Sequence, residues 1–398
     1  MIKALLFDLD DTLLGNDMRT FLPAYFQAVA RSFPELDARQ LTAHLLAGTD
    51  AMRANTAPRP TLRQVFLEHF PPAAGCEAET WERFEAFYRG GFSGLRGLTQ
   101  LRPAAREVLE WAFAAGYQVV IATSPLFPLS AILERLHWAG VDGLPFDLIT
   151  HIENSHFAKP HPEYFAEILA RLGLRPDEAL LIGNDWHEDL EPAAVLGLPH
   201  YWMAAPDTPA PAPTAHPLGV GDLEAFLAWA PAHLGPRPHA DVLPAAIAPL
   251  LAGHLAYLLG ELTDLPEGLW VRRPDAETWS LTEVMCHLRD VDEEVNAPRV
   301  EAVLASDNPF ITGADTDPWA VIRDYQAQSG PIALQAWAAS REALIQRLAA
   351  AGAASWRRPA RHAFFGPTTL AEILGWALDH DRIHLDQVRA ILRQIGRA

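Results

Sequence analysis

The chain has 398 residues, of which 49% are apolar, and a formal net charge of −19. This length predicts two or three domains with sizeable hydrophobic cores. The negative charge argues against nucleic acid and against an anionic membrane surface as partners, because both are bound through clustered Lys and Arg. The two cysteines, Cys76 and Cys286, are far apart in sequence and give no disulfide framework, so we expect a cytoplasmic protein.

The first predicted element is a strand over residues 4–7, an apolar run that is followed by Asp8, Asp10 and Asp11. Such runs are typical of central strands in parallel sheets, which place their sites beyond the carboxyl ends of the strands. The alternation of a strand points Asp8 and Asp10 to one side of the chain. Two carboxylates held so close repel each other unless a cation or a shared proton relieves them, and a divalent metal is the simplest remedy. The alternative interpretation is a polar turn after the strand.

Helical patterns fill residues 17–98, and helices and strands then alternate to about residue 232. The predicted helices of this alternation are 103–115, 130–138, 162–172, 192–196 and 222–230, and the predicted strands are 117–122, 148–151 and 179–182. The alternation predicts a doubly wound parallel sheet, and the helical block becomes a lid above the end of the first strand. The Pro- and Ala-rich residues 204–217 are predicted as a loop or a stiff spacer.

The remaining chain shows no strand signals. It carries four long helical patterns, roughly 243–262, 280–305, 320–350 and 368–396, which predict a four-helix bundle after a linker over 233–242. The stretch from Val242 to Gly260 has no formally charged residue. We interpret it as a bundle helix, and a membrane span is the alternative on length and hydropathy.

Polar groups follow two further predicted strands at the same sheet edge. Thr123 and Ser124 come directly after the strand 117–122, and Asn184, Asp185 and Asp189 follow the strand 179–182. Together with Asp8, they are groups of the kinds needed around a phosphate and a metal.

Lys159 stands just before the helix 162–172, and lysine occurs elsewhere only at Lys3. A lysine retained in a chain that otherwise uses arginine suggests a site that requires a compact ammonium group. The alternative is an exposed surface lysine, which is the common environment of this residue.

These motifs, in this order, resemble the haloacid dehalogenase-like (HAD) superfamily of hydrolases over roughly residues 1–232. The resemblance implies a Rossmann-like core of residues 1–16 and 99–232, a helical cap over 17–98, and Mg²⁺. It also implies that Asp8 is the nucleophile that forms an aspartyl-phosphate, and that Asp10 protonates the leaving group and then activates water. The phosphoryl oxygens would be bound by Thr123 and Lys159, with Ser124 and Asn184 as further substrate-binding residues.

The same resemblance implies that Mg²⁺ is held by Asp8, the Asp10 carbonyl and an acid of the last loop. Many members have an acid directly after the glycine, where this chain has Asn184, and the neutral side chain weakens the site by one charge. The third ligand is then Asp185 or Asp189, and Asp189 alternatively orients Lys159. The second acid, Asp10, favours a phosphatase over a dehalogenase.

A second constellation lies in the C-terminal block, where Ser280–Glu283 and Thr369–Glu372 are both capping boxes that open apolar helices. The first helix carries His287. The second carries His380 and His384, which are four apart and share one helix face. If the two helices are neighbours, three imidazoles meet and leave coordination positions open, as in catalytic metal sites.

Other residues of the bundle are assigned lesser roles. Asp290 and Asp379 are candidate partners for the remaining imidazole nitrogens. Cys286 is expected to be a packed core thiol, and His254 and His362 are expected to be structural.

The histidine arrangement is similar to that of the DinB-like (YfiT-like) four-helix metalloproteins, over about residues 243–398. The resemblance implies a divalent ion, with nickel, zinc and iron all compatible with imidazole ligands. Some relatives are thiol transferases, which implies a low-molecular-weight thiol as a partner. Fold resemblance alone does not settle a reaction.

We therefore expect a two-domain hydrolase, in which a Mg²⁺-dependent phosphatase for a small phosphorylated metabolite is fused to a three-histidine metal domain. That second domain is a candidate thiol-dependent transferase. The alternative is a non-catalytic dimerisation or ligand-binding module that regulates the phosphatase, with a homodimer formed through the bundle. A further alternative makes the first unit a phosphotransferase or a non-phosphatase member of the family.

Overall fold

The computed structural model describes residues 1–70, 77–236 and 238–396. The chain forms two compact units, residues 1–165 with 174–240, and residues 166–173 with 241–398. Cys76 lies outside the described residues, so the structural account of the cysteines concerns Cys286.

The first unit is built on a six-stranded parallel sheet. The strands of the unit are β1 (Ala4–Phe7), β2 (Leu14–Asn16), β3 (Thr99–Leu101), β4 (Gln118–Ile121), β5 (Leu148–Ile149), β6 (Ala179–Gly183), β7 (His200–Met203) and β8 (Val220–Gly221). The order across the sheet is β5-β4-β1-β6-β7-β8, and β2 and β3 pair antiparallel as a separate ribbon. All four residues of β1 are fully buried, as expected for a central strand that is covered on both faces.

Helices fill the segment between β2 and β3, as predicted. They are α1 (Met18–Ala30), α2 (Ala38–Ala54), α3 (Leu62–His69) and α4 (Glu77–Arg89), followed by a 3₁₀ segment, Phe92–Leu98. A capping box between Thr61 and Gln64 begins α3. The rings of Phe33, Phe66 and Phe84 pack on Phe70 at centroid distances of 5.1–5.6 Å and form the core of this cap.

Five helices alternate with the core strands: α5 (Ala104–Ala114), α6 (Leu129–Trp138), α7 (Pro162–Leu172), α8 (Glu191–Leu196) and α9 (Leu223–His233). This alternation confirms the predicted doubly wound α/β fold. Because β1 lies between β4 and β6 in parallel register, the carboxyl ends of these three strands meet at one edge of the sheet.

The second unit is a bundle of four long helical segments. Its helices are α10 (Pro244–Leu262), α11 (Glu267–Trp270), α12 (Leu281–Val291), α13 (Ala297–Ala305), α14 (Trp319–Ile322), α15 (Gly330–Ala351) and α16 (Leu370–Ile395). A π-helical turn, Asp292–Asn296, joins α12 to α13 as one long segment. The predicted capping boxes begin α12 and α16, and α12 packs against both α15 and α16. The bundle predicted from the sequence is confirmed.

Within the described residues, α10 is the one helix that is long and apolar enough to cross a membrane. Its most apolar 18-residue window is 78% buried, as in the core helix of a bundle. Length and composition alone are weak grounds for a membrane span.

Three features of the fold differ from the prediction. The bundle unit contains a small sheet of β9 (Phe310–Ile311), β10 (Pro359–His362) and β11 (Gly366–Thr369), although the sequence showed no strand signals there. The strands β2, β3, β7 and β8 were also not predicted. These strands have two to four residues, which is too short to display a period-two pattern. Finally, α15 begins ten residues later than the predicted helix 320–350, because Asp324 adopts a left-handed conformation and Ser329 caps the helix.

Candidate active site and metal centre

The first site lies where β1, β4 and β6 end, and its centre is Asp8. Asp8 is almost fully buried, and its Oδ1 accepts a hydrogen bond from Lys159 Nζ at 2.7 Å. The same ammonium group donates to Asp189 Oδ1 at 2.6 Å. Burial alone would lower the pKa of Lys159, but the carboxylates of Asp189 and Asp8 raise it above its ordinary value. Lys159 is therefore a buried, permanently charged ammonium group, and not the surface lysine of the alternative interpretation.

The second oxygen of Asp8 belongs to a cluster of oxygens around the Asn184 amide. One terminal atom of this amide lies 3.3 Å from Asp8 Oδ2, 2.9 Å from the Asp10 carbonyl oxygen and 3.2 Å from Thr12 Oγ1. An amide nitrogen in this position donates to the neighbouring oxygens when no cation is bound. With a cation among them, the amide oxygen takes that position. Mg²⁺ accepts carboxylate, carbonyl and amide oxygens as ligands. The Asp8 carboxylate, the Asp10 carbonyl and the Asn184 amide therefore fit a magnesium ion.

The two acids expected as alternative metal ligands line the same cavity, but their carboxylates are engaged by other groups. Asp185 is exposed, and its side chain accepts hydrogen bonds from the backbone N–H groups of His187 and Glu188, both at 2.8 Å. Asp189 is occupied by Lys159 and by the Asp185 backbone N–H, which donates to Asp189 Oδ2 at 3.1 Å. Of the possibilities left open by the sequence, Asp189 has the geometry that orients Lys159.

Asp10 is half-buried at the edge of the same cavity. Its Oδ1 accepts a hydrogen bond from Asn16 Nδ2 at 3.0 Å and forms an ion pair with Arg135. Arg135 is fully buried, and burial lowers its pKa to about 10 against the pull of Asp8. The arginine therefore remains charged at neutral pH and holds the Asp10 carboxylate in place.

The hydroxyl residues after β4 take different positions. Thr123 is buried, and its carbonyl oxygen accepts hydrogen bonds from Thr150 Oγ1 and Tyr164 Oη, both at 2.8 Å. Ser124 lines the cavity, and its hydroxyl has no hydrogen-bond partner among the described residues. That hydroxyl is available to a ligand.

These groups surround a cavity of about 360 Å³, which is closed on one side by residues of the cap. Met18 and Leu22 of α1 and Arg53 of α2 contribute to its wall. Arg53 Nη1 donates to Glu188 Oε1 at 2.6 Å. The cavity therefore combines a nucleophilic carboxylate, a buried ammonium group and an oxygen cluster, and it is of a size that suits a small ester.

The second site lies in the bundle, where α12 and α16 bring three histidines together. His287 Nε2 and His384 Nε2 lie 3.0 and 3.2 Å from His380 Nε2. Burial and the neighbouring imidazoles lower the pKa of His287 to about 3 and that of His384 to about 4, and burial lowers the pKa of His380. At neutral pH, three uncharged rings thus face one another, as they would around a metal ion.

The surroundings of the histidines orient the rings. His384 Nδ1 lies 3.0 Å from Gln387 Oε1, an oxygen that can only accept a hydrogen bond. The Nδ1–H group therefore donates to Gln387, and the Nε2 lone pair is left free for a metal. Trp279 stacks on His384 with an interplanar angle of 3°. The acids predicted as partners of the ring nitrogens serve other groups: Asp290 binds Tyr325 and arginines, and Asp379 pairs with Arg382.

Beneath the triad, charged groups form a buried network around Arg341. Its guanidinium group binds Asp292 and Asp381, and all three side chains are about 1% exposed. His254 Nδ1 contacts Asp381 Oδ2 at 3.1 Å, which is the structural role expected for this histidine. The network connects α15 to α16 directly beside His380.

A cavity of about 430 Å³ lies on the other side of His380. One wall is aromatic, with Phe365 and Trp376 at a centroid distance of 4.3 Å, and the lining also includes Asp379 and the half-buried cation of Arg299. Arg299 makes no ion pair within the described part of the chain. His362 also lines this cavity, and its Nδ1 accepts a hydrogen bond from the Phe364 N–H at 3.2 Å.

Comparison with known proteins bears on both units. Residues 2–197 match the family described as haloacid dehalogenase-like hydrolase, and residues 250–388 match the DinB superfamily. The chain is 30% identical over 187 residues to a phosphoserine phosphatase of Thermus thermophilus, covering 46% of this chain and 70% of that one. It is 31% identical over 197 residues to a phosphoglycolate phosphatase of Pectobacterium atrosepticum, covering 49% and 77%.

The chain belongs to the haloacid dehalogenase-like hydrolase family. This membership, with a DinB superfamily domain at the C-terminal side, confirms the resemblances drawn from the motifs. Among solved structures, the chain is similar to YfiT from Bacillus subtilis, described as a probable metal-dependent hydrolase, with 17% identity, coverage of 40% and 94%, and a TM-score of 0.36. It is also similar to a HAD phosphatase from Thermococcus onnurineus, with 20% identity, coverage of 57% and 97%, and a TM-score of 0.37.

In this HAD-like hydrolase, sequence reasoning did not identify Arg135, Arg53 or Asn16 as residues of the first site. Arg135 lies in the segment Leu133–Leu136 of an amphipathic helix, where an arginine normally marks the solvent-facing side. Nothing in the sequence distinguishes it from a surface residue. Its role emerges only from packing, because α6 turns this side chain toward Asp10.

Proposed function

We propose that the HAD-like unit is a Mg²⁺-dependent phosphatase that hydrolyses small phosphomonoesters through an aspartyl-phosphate on Asp8. One observation carries this proposal: the two oxygens of Asp8 have different partners. Oδ1 accepts a hydrogen bond from Lys159, and Oδ2 belongs to the oxygen cluster around the Asn184 amide. Family membership and the phosphatase relatives support the same chemistry.

The reaction would proceed in two displacements. An Asp8 oxygen attacks phosphorus, the bond from phosphorus to the alcohol oxygen breaks, and Asp10 gives its proton to the departing oxygen. Asp10 then takes a proton from water as that water attacks phosphorus, which breaks the bond to Asp8 and releases inorganic phosphate. Lys159 and the Ser124 hydroxyl would bind the phosphoryl oxygens, with Thr123 beside them.

A bound Mg²⁺ would supply positive charge between the carboxylate and the anionic substrate. Asp8, the Asp10 carbonyl and Asn184 would hold it, since these groups form the oxygen cluster. This assignment replaces Asp185 and Asp189 as the third ligand. It leaves Asp189 to position Lys159 and Arg135 to position Asp10.

The test is hydrolysis of p-nitrophenyl phosphate with Mg²⁺ by the full chain and by Asp8→Asn. The variant should lose activity by at least about a thousandfold, because the amide cannot form the covalent intermediate. Asp37→Asn, an exposed residue of the cap that makes no side-chain capping bond, is the matched control. Full activity in Asp8→Asn would refute the nucleophile, and transfer of phosphate to an added alcohol in preference to water would favour a phosphotransferase.

For the bundle, we propose a divalent metal centre on His287, His380 and His384. The convergence of three neutral imidazoles supports a metal, with nickel, zinc and iron all compatible. The aromatic cavity beside His380 favours a reaction on a small molecule over a purely structural ion. Activation of a low-molecular-weight thiol on the metal is the candidate reaction, and regulation of the phosphatase or dimerisation is the competing role.

The metal content of the purified protein tests whether the three histidines hold a metal at all. The purified full chain should hold close to one equivalent of a transition metal, and His287→Ala should lose most of it. His362→Ala, a histidine of the same unit outside the triad, should retain the metal. Thiol consumption by the loaded protein with an electrophilic acceptor would support catalysis, whereas metal without consumption would favour the regulatory role. Equal metal content in both variants would overturn the assignment.

A further inference from the structure

The catalytic cavity continues into a second cavity inside the cap, with a volume of about 240 Å³. The two cavities share wall residues at their junction: Met18, Leu22, Arg53, Leu126 and Phe127. A substrate whose phosphate lies at Asp8 therefore has one enclosed direction available for the rest of the molecule, which leads into the cap.

The walls of this cap cavity are apolar and largely aromatic. Its ring-bearing residues are Tyr25, Phe26, Phe66, Trp81, Phe84, Tyr88 and Phe127. Several of these rings are almost fully buried and pack on one another. The surface that a ligand meets there is therefore mainly hydrocarbon held in a fixed shape.

The tyrosine, threonine and arginine side chains of the cap cavity already have partners. The hydroxyls of Tyr25 and Tyr88 bond each other at 2.6 Å. Burial raises the pKa of both, that of Tyr25 to about 12, so both remain neutral. Thr49 Oγ1 donates to the Leu45 carbonyl oxygen at 2.8 Å. Arg53, at the junction, is paired with Glu188. A substrate carboxylate would lose its hydration in this cavity without gaining a free cation, and Asp50, an exposed acid on the same wall, adds a like charge.

We propose that the alcohol part of the substrate is apolar, aromatic or aliphatic, and that the phosphatase selects monoesters of such alcohols over esters that carry a carboxylate. This inference rests on the phosphatase function proposed above. It distinguishes the chain from the activities named for its relatives, since phosphoserine and phosphoglycolate both carry a carboxylate near the ester.

The test is kcat/KM for methyl, ethyl, propyl and butyl phosphate, for phenyl and benzyl phosphate, and for phosphoserine and phosphoglycolate. Each methylene that enters the cavity should raise kcat/KM by about fourfold, from the usual gain of about 0.8 kcal/mol per buried CH₂ group. Butyl and benzyl phosphate should exceed phosphoserine and phosphoglycolate by at least about tenfold. A flat alkyl series, or a preference for either charged ester, would overturn the inference while leaving the phosphatase intact. Failure to hydrolyse any of these esters would instead contradict the phosphatase itself.

A matched pair of variants locates the effect in the cavity. Thr49 and Thr42 both lie on α2, and each hydroxyl donates to the carbonyl oxygen four residues earlier at 2.8 Å, but only Thr49 lines the cavity. Thr49→Phe should fill the space and reduce kcat/KM for butyl and benzyl phosphate at least tenfold, with little change for methyl phosphate. Thr42→Phe should leave the whole series as in the wild type. An equal loss on every substrate in Thr49→Phe, with thermal stability retained, would contradict a role of the cavity in selection.

Discussion

The assignment of Asn184 as a magnesium ligand predicts the effect of adding a charge there. In Asn184→Asp, a carboxylate oxygen replaces an amide atom that lies 3.3 Å from Asp8 Oδ2. Two unit charges at this distance repel by about 1 kcal/mol in bulk water and about 5 kcal/mol at an effective dielectric constant of 20. The metal-free variant should therefore be less stable than the wild type, with a lower Tm in EDTA. Mg²⁺ should relieve the repulsion and bind at least about tenfold more tightly, since about 1.4 kcal/mol is a factor of ten.

The assay is a Mg²⁺ titration that follows both Tm and phosphatase rate, with Asp185→Asn as the matched control. Asp185 caps a helical turn through backbone N–H groups, a role that asparagine also fills, so its Mg²⁺ dependence should stay within about twofold of the wild type. The reasoning is refuted if Asn184→Asp leaves the half-saturating Mg²⁺ concentration unchanged. A loss of Mg²⁺ dependence in Asp185→Asn would identify Asp185 as the ligand.

Three further outcomes follow from buried groups. Arg341→Leu should lower the free energy of unfolding by about 3–5 kcal/mol in a urea titration, because it leaves two buried aspartates without their cation, whereas Arg347→Leu, which removes an exposed ion pair on the same helix, should cost under about 1 kcal/mol. Burial raises the pKa of the Cys286 thiol to about 11. In a Cys76→Ser background, its reaction with a disulfide reagent should therefore be slow at pH 8, and the rate should rise about tenfold per pH unit below that pKa. Fast reaction of the folded protein at pH 8 would contradict this. Lys159→Met should abolish phosphatase activity by at least about a thousandfold and also lower Tm, because it removes the only described cation between two buried carboxylates; a variant with wild-type kcat would show that the ammonium group is not required.

The sequence predicted those site residues whose positions follow from strand ends and helix periodicity. Asp8 lies at a sheet edge because an apolar run precedes it, and His380 and His384 share a helix face because they are four apart. The sequence predicted Asn184 as a substrate-binding residue that weakens the metal site, because its side chain is neutral. Its contact with the Asp10 carbonyl could not be predicted, because it depends on how the loop after β6 turns back toward β1. Arg135 was missed because its burial is a property of tertiary packing.

In the bundle, the capping boxes were sufficient to predict where α12 and α16 begin, since a cap is a local interaction within four residues. The partners of the imidazole nitrogens could not be predicted in the same way. Asp290 and Asp379 were chosen because they are close in sequence to the histidines, but their carboxylates are directed to arginines on other turns and helices. Proximity along a helix does not specify the direction of a side chain.

The two sites differ in the ligand atoms that they offer, which predicts that each site selects a different class of metal ion. The Asp8 cluster offers only oxygen atoms and suits Mg²⁺, whereas the three imidazoles favour a transition metal. When metal-free protein receives millimolar Mg²⁺ with one equivalent of Zn²⁺, we expect the zinc to remain with the histidines after desalting and to be lost in His287→Ala. If the bundle is an independent metal centre, zinc loading leaves the phosphatase rate in Mg²⁺ unchanged. A phosphatase rate that rises or falls with zinc occupancy would instead establish the regulatory role, because a change in one unit would then be coupled to binding in the other.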